Sequence, residues 1–282
     1  FDTRLERYVA IKFIRPDAVN QEIFLKRFER EAKALASLSH PNIVKIHDYG
    51  NHEGMPYLVM EYIPGGTLKQ KLGEPFSPQN AARLIIPIAQ SLDYTHRHNI
   101  IHRDVKPANF LMSESGQPML SDFGIARMLE QGETRALTHT GTGIGTPEYM
   151  APEQGMGEKV DQRADIYSLG VVFYELVTGK KPFRADTPMA VLMKHISEPL
   201  PSPLRFVPNL PEDVVNTISK ALAKKPDDRY QSMSQLIAAL ENIMQTGWAA
   251  PAYQTVKAPP QEYSAPVAQP ATRSQPTQPV YT

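Results

Sequence analysis

The sequence predicts an α+β chain of two lobes, a small β-rich lobe over residues 1–60 and a larger, mainly helical lobe over residues 67–248. Three observations predict it. Tyr8-Val9-Ala10-Ile11-Lys12-Phe13-Ile14 alternates with the period of a strand. Soon after, Phe24, Phe28, Ala32 and Leu35 recur at helical spacing, so one amphipathic helix lies among the strands of the small lobe. Further on the pattern is helical throughout, with Ala82, Leu84, Ile85, Ile88, Ala89 and Leu92, and then Val171, Val172, Tyr174, Glu175 and Leu176, as core helices. Pro87 sits inside the first of these and predicts a kink or a break, because it has no N–H to give the helix. Between the lobes, Glu61-Tyr62-Ile63-Pro64-Gly65-Gly66 reads as a hinge (61–66) punctuated by Pro and Gly. Residues 249–282 carry seven Pro and five Gln with only Lys257, Glu262 and Arg273 charged, the composition of an extended linker or disordered tail.

Composition narrows the function classes. With 282 residues, 41% hydrophobic and 21% charged, the chain can bury a sizeable core. A formal net charge of zero gives no reason to expect a nucleic-acid partner. The absence of cysteine removes disulfides, thiol nucleophiles and cysteine zinc clusters, and suits a reducing cytoplasm. The eight histidines show no metal-ligand spacing; His96 and His98 read as surface or core fillers, and His102 as packing beneath Phe123. No signal peptide opens the sequence, and no apolar run approaches the roughly 18 residues that span a bilayer.

Chemistry is concentrated in His102-Arg103-Asp104-Val105-Lys106-Pro107-Ala108-Asn109, followed after twelve residues by Asp122-Phe123-Gly124. Taken singly these are ordinary loop residues: Asp104 could cap a turn and Asn109 start a helix. Their joint spacing is that of a phosphoryl-transfer site, where the protein positions groups and supplies compensating charge around a loose transition state. Asp104 would accept or orient the hydroxyl proton, Lys106 would touch the transferring phosphate, and Asn109 and Asp122 would hold Mg2+, or Mn2+ as an alternative, through hard oxygen ligands.

With Val9-Ala10-Ile11-Lys12, His40-Pro41-Asn42-Ile43-Val44, Gly145-Thr146-Pro147-Glu148-Tyr149-Met150-Ala151-Pro152-Glu153 and Asp165-Ile166-Tyr167-Ser168-Leu169-Gly170, residues 1–248 resemble the eukaryotic-like (Hanks-type) Ser/Thr protein kinases of bacteria. The resemblance implies the two-lobed protein kinase fold, with Lys12 on the ATP phosphates and paired with Glu31 of the small-lobe helix, Glu29 being the runner-up. It also implies an adenine pocket with Met60 as gatekeeper, backbone groups of Glu61 and Ile63 on the adenine edge, and Ala10 and Leu111 sandwiching the ring. Glu153 and Arg229 resemble the buried ion pair that braces the large lobe, and Asp165 the carboxylate that accepts backbone amides of the catalytic loop. Lys106 and Thr146 favour Ser and Thr hydroxyls over Tyr. A phosphate on Thr138 or Thr140 would find its receiver in Arg103.

A Gly-rich loop over the ATP phosphates should precede Lys12, yet the sequence opens at Phe1-Asp2-Thr3-Arg4 and has no glycine before Gly50. The expectation is therefore a fragment cut at its amino end, with the strand of Lys12 as a bare sheet edge. The implied partners are protein substrates bearing Ser or Thr, a second copy through the small lobe, and a membrane only through a segment beyond Thr282. The implied location is cytoplasmic, alone or as part of a membrane receptor kinase. Two other readings stay open: an inactive fragment or pseudokinase acting as a binding module, and, more weakly, a small-molecule phosphotransferase.

Overall fold

The structure is a computed structural model, in which residues 1–14, 21–123 and 147–246 are described. The chain divides into two units, Phe1–Ala249 and Ala250–Thr282, and the second lies outside the described residues. The first unit is α+β.

Strand β1 (Val9–Phe13) pairs antiparallel with β3 (Met55–Glu61), which pairs antiparallel with β2 (Ile46–His52), giving the order β1-β3-β2. Among the described strands β1 is therefore an edge. Its alternation splits the side chains between faces: Ile11 and Phe13 are exposed, while Ala10 and Lys12 are half-buried on the other face. Helix α1 (Gln21–Ala36) buries Phe28, Ala32 and Leu35 and packs Phe24 partly against the same core, the stripe expected from the sequence.

Below, α2 (Pro78–Arg97) starts at Ser77, whose hydroxyl accepts from the Asn80 N–H, and runs unbroken through Pro87. The expected break does not occur. The N–H that Pro87 lacks would have met the carbonyl of Arg83, an exposed residue where water can serve, while Ala82, Ile85, Ile88, Ala89 and Leu92 are wholly buried and hold both sides of the helix in place. The two-stranded sheet of β4 (Phe110–Met112) and β5 (Pro118–Leu120) follows. The short α3 (Pro152–Met156) leads to α4 (Arg163–Thr178), which is buried from Ala164 to Thr178, as a helix at the centre of a lobe must be. Around it lie α5 (Pro188–Ser197), α6 (Glu212–Ala221) and α7 (Met233–Gln245).

Candidate active site

The loop between α2 and β4 is positioned from below by one carboxylate. Asp165, in the first turn of α4 and wholly buried, accepts the His102 N–H at Oδ2 and the Arg103 N–H at Oδ1, each at 2.8 Å. His96 Nε2 donates to the same Oδ2 at 2.8 Å. Burial alone would raise the Asp165 carboxyl, but these hydrogen bonds and the neighbouring histidines outweigh it and hold it below the ordinary carboxylate range. The role of Asp165 is as the sequence implied; His96 is not the mere filler expected.

His102 is fixed in one tautomer. Its Nε2 donates to the Ser121 carbonyl at 3.0 Å, its Nδ1 accepts the Asp104 N–H at 3.3 Å, and its ring lies 4.7 Å from that of Phe123. Burial lowers its affinity for a proton, so it stays a neutral spacer beneath the loop. Arg103 takes a left-handed φ of 65°, a strained choice for a side-chain-bearing residue that the two bonds to Asp165 sustain, and Gln154 Nε2 donates to its carbonyl at 3.0 Å.

With the backbone so held, the candidate side chains converge. Lys106 Nζ is 2.7 Å from Asp104 Oδ2. Asn109 Nδ2 donates to the Asp104 carbonyl at 2.7 Å and to Asp104 Oδ2 at 3.1 Å. Ser121 bonds the Asn109 carbonyl through both its N–H and its hydroxyl, which brings Asp122, the next residue, beside Asn109. Asp122 also has a left-handed φ, of 58°, and its Oδ1 meets Lys12 Nζ at 2.8 Å. Lys12 on β1 and Asp104 to Asp122 below it thus face one cleft.

One expected contact is corrected. The described ion pair of Lys12 is with Asp122, not with Glu31. The left-handed turn at Asp122 places its carboxylate against Lys12. Glu31 is half-buried on α1; burial lowers the Arg103 pKa, and the charges of Asp165 and, to a smaller extent, Glu31 oppose that shift. Glu29, the alternative, is exposed and held by Lys33 at 2.7 Å.

Ala10 pairs with Met60 across the β1–β3 ladder, and Val9 with Glu61. Ala10, Met60, Glu61, Ile63 and Leu111 are all half-buried, as the lining of a cleft would be; Leu111 stands between buried Phe110 and Met112, so it alternates to the opposite face of β4. The Glu61 N–H is taken by the Lys45 carbonyl at 2.9 Å, so only its carbonyl is offered to a ligand. Gly65 is required in the connection: a Cβ there would lie 2.2 Å from the Met112 carbonyl oxygen. Beneath the site, Arg229 Nη1 and Nη2 bond Glu153 Oε1 and Oε2 at 2.7 and 2.8 Å, both residues buried. Thr138, Thr140, Thr146 and Gly124 lie outside the described residues.

The profile of the family described as "Protein kinase domain" matches residues 2–248. The chain belongs to the protein kinase family. It is 44% identical over 250 residues to the serine/threonine-protein kinase PknB of Mycolicibacterium smegmatis, covering 86% of this chain and 40% of that protein. It is 41% identical over 249 residues to PknB of Mycobacterium tuberculosis, with the same coverage of 86% and 40%. The kinase domain therefore spans about 40% of the length of these relatives. Among solved structures, the kinase domain of Mycobacterium tuberculosis PknI superposes with a TM-score of 0.66 at 28% identity, covering 84% of this chain and 86% of that one. The fold is accordingly the two-lobed kinase fold.

Proposed function

We propose that this kinase domain transfers the terminal phosphate of ATP to Ser and Thr hydroxyls of proteins. The observation that carries the reading is the convergence of Asp104, Lys106 and Asn109 within hydrogen-bond distance, on a loop braced by buried Asp165. Relatives named serine/threonine-protein kinases over 86% of the chain support it.

Asp104 takes or orients the proton of the substrate hydroxyl as its oxygen bonds to phosphorus and the bond to the bridging oxygen of ADP breaks. Lys106 leaves Asp104 to neutralise the charge on the phosphoryl oxygens, and Lys12 holds the phosphates from above. The donor set Asn109 Oδ1 and Asp122 carboxylate suits Mg2+ or Mn2+, hard ions that take oxygen ligands and share phosphates; the ion would supply charge neutralisation. Asn109 is already oriented for this, since its Nδ2 is committed to Asp104 and only its carbonyl oxygen is spare. Ala10, Met60 and Leu111 would hold the adenine between apolar walls, with the Glu61 carbonyl and the Ile63 N–H on its edge. A phosphate on Thr138 or Thr140, added by the enzyme itself, would pair with Arg103 and order the loop as a signalling switch.

Among the described residues no helix is long and apolar enough to cross a membrane. A cytoplasmic site of action and pairing of two copies through the small lobe fit this reading. Intact mass after incubation with ATP and Mg2+ tests it: the unsubstituted chain should gain phosphate and Asp104→Asn should not. Nucleotide binding with no gain of phosphate by either would put a binding module in place of an enzyme.

A further inference from the structure

The peptide plane between Arg103 and Asp104 sets the direction in which the Asp104 side chain leaves the backbone. It follows a residue with a left-handed φ of 65°, so local backbone preference does not keep it in place. Its N–H, that of Asp104, donates to His102 Nδ1 at 3.3 Å, longer than an ordinary amide bond. Its carbonyl, that of Arg103, accepts from Gln154 Nε2 at 3.0 Å. Buried Asp165 holds the N–H groups of His102 and Arg103 and stops one peptide short of this plane. Beyond Asp104 the Asn109 amide takes over, donating to the Asp104 carbonyl at 2.7 Å. The plane that carries the candidate base is thus held chiefly by Gln154.

Gln154 is itself firmly placed. It sits in the first turn of α3, and its Oε1 accepts the Ala151 N–H at 3.1 Å, so the amide cannot turn over without losing both bonds. Its neighbour Glu153 is tied to Arg229 by bonds of 2.7 and 2.8 Å, and Ala151 and Pro152 are buried. Gly155 lets α5 close on α3, since a Cβ there would lie 2.3 Å from Leu192 Cδ1. Gln154 therefore joins the packed interior of the large lobe, through its backbone, to the loop of Asp104, through its amide.

We propose that Gln154 is a positioning residue for phosphoryl transfer, which passes the alignment of the large lobe to Asp104 through the Arg103 carbonyl. The inference rests on the reading of Asp104 given above. Both described bonds of the Gln154 side chain go to backbone groups, so its effect on the chemistry travels through the backbone. Leu in its place supplies no donor. Glu keeps an acceptor for the Ala151 N–H but turns a carboxylate oxygen on the Arg103 carbonyl, two acceptors face to face. That substitution separates the bond from the fold, because a protonated Glu regains the donor. Half-buried and facing a carbonyl oxygen, its anion is disfavoured, so the proton returns above the ordinary carboxylate range.

Initial rates of phosphate uptake with ATP and Mg2+, read by intact mass on the 282-residue chain, test it on Gln154→Glu and Gln154→Leu beside the parent. At about pH 8 both variants should be slower than the parent by about tenfold or more, with the KM for ATP unchanged. As pH falls towards about 5.5 the Glu variant should close on the parent, and the Leu variant should not. Parent-like rates in both variants, or a loss in Gln154→Glu as indifferent to pH as that in Gln154→Leu, overturn the proposal. Hydrogen exchange without nucleotide separates this failure from failure of the phosphotransfer reading. The amides of residues 102–109 should exchange faster in Gln154→Leu, and those of α4 at the parent rate. Unchanged exchange at 102–109 overturns the role whether or not the chain takes up phosphate. A parent that takes up none, with exchange that quickens at 102–109 alone, keeps Gln154 as the residue that places Asp104 and removes only the phosphotransfer reading.

Discussion

The Lys12–Asp122 and Arg229–Glu153 pairs are almost equally short, 2.8 and 2.7 Å, yet the first has side chains 42% and 35% exposed and the second 0% and 3%. The difference lies in what surrounds them. Around Arg229, the carbonyls of Ala223, Lys224 and Arg163 take the remaining guanidinium protons and the Tyr167 ring lies 4.8 Å beneath, so every hydrogen-bonding demand is met without water. Lys12 and Asp122 have a half-wet contact, which a phosphate or a metal ion can replace at small expense. The large lobe is a fixed frame, and the pair at the cleft is left exchangeable.

Breaking the frame should have the largest effect. Glu153→Ala or Arg229→Met leaves one buried charge unpaired and should cost about 3 to 5 kcal/mol, read as a fall in Tm or denaturation midpoint. Replacing both together by apolar residues should recover a good part of that loss, because the uncompensated charge is then gone. If the two single changes left Tm within a degree or so of the parent, the contrast between frame and cleft would collapse.

Next in size is a pH effect inside the same lobe. His195 is wholly buried and shares a 2.9 Å hydrogen bond through Nδ1 with the Tyr167 hydroxyl; burial, aided by the charge of Lys224, pushes its pKa down to about 4. The unfolded chain takes up the same proton near 6.5. Between those values the unfolded state binds more protons, so stability falls as pH falls, by up to about 3 kcal/mol in total. His195→Asn, which keeps a polar partner for Tyr167 and cannot titrate, should flatten the denaturation midpoint over that window.

Much of this frame can be read from the sequence, and the reason is spacing. Asp104, Lys106 and Asn109 stand within six residues of one another, so one loop carries all three, and the alternation around Lys12 and the stripe from Phe24 to Leu35 each describe one element. What cannot be read depends on distant partners. His96 reaches Asp165 across 69 positions, and nothing in its helical register sets it apart from His98, which is exposed and bonds the Tyr94 carbonyl. Pro87 reads as a kink or a break by local rule, but the helix stays continuous, since burial on either side outweighs the single missing hydrogen bond. The pair of Lys12 with Asp122 joins residues 110 positions apart through a left-handed turn at Asp122, which the sequence does not announce.

Smaller effects on stability should follow changes in the cleft. Lys12→Met removes only a half-exposed pair, so it should alter stability by about 1 kcal/mol or less. The same change should abolish phosphate uptake, because its demand lies with the phosphates and not with the fold. A large loss of Tm would mean that Lys12 belongs to the frame after all.

The smallest expected effect sharpens the choice between the two acids of α1. Glu29→Gln breaks an exposed contact with Lys33 one helical turn away, and neither Tm nor phosphate uptake should change measurably. Glu31→Gln should likewise leave Tm alone, since its described influence is on half-buried Arg103, but it should slow phosphate uptake if Lys12 exchanges Asp122 for Glu31 when nucleotide and metal ion engage the cleft. Measured side by side, equal uptake by the two variants would mean that Lys12 works from Asp122 alone. A loss confined to Glu31→Gln would show that the inward acid completes the site only in the working state, and that the 2.8 Å pair with Asp122 is the contact it displaces.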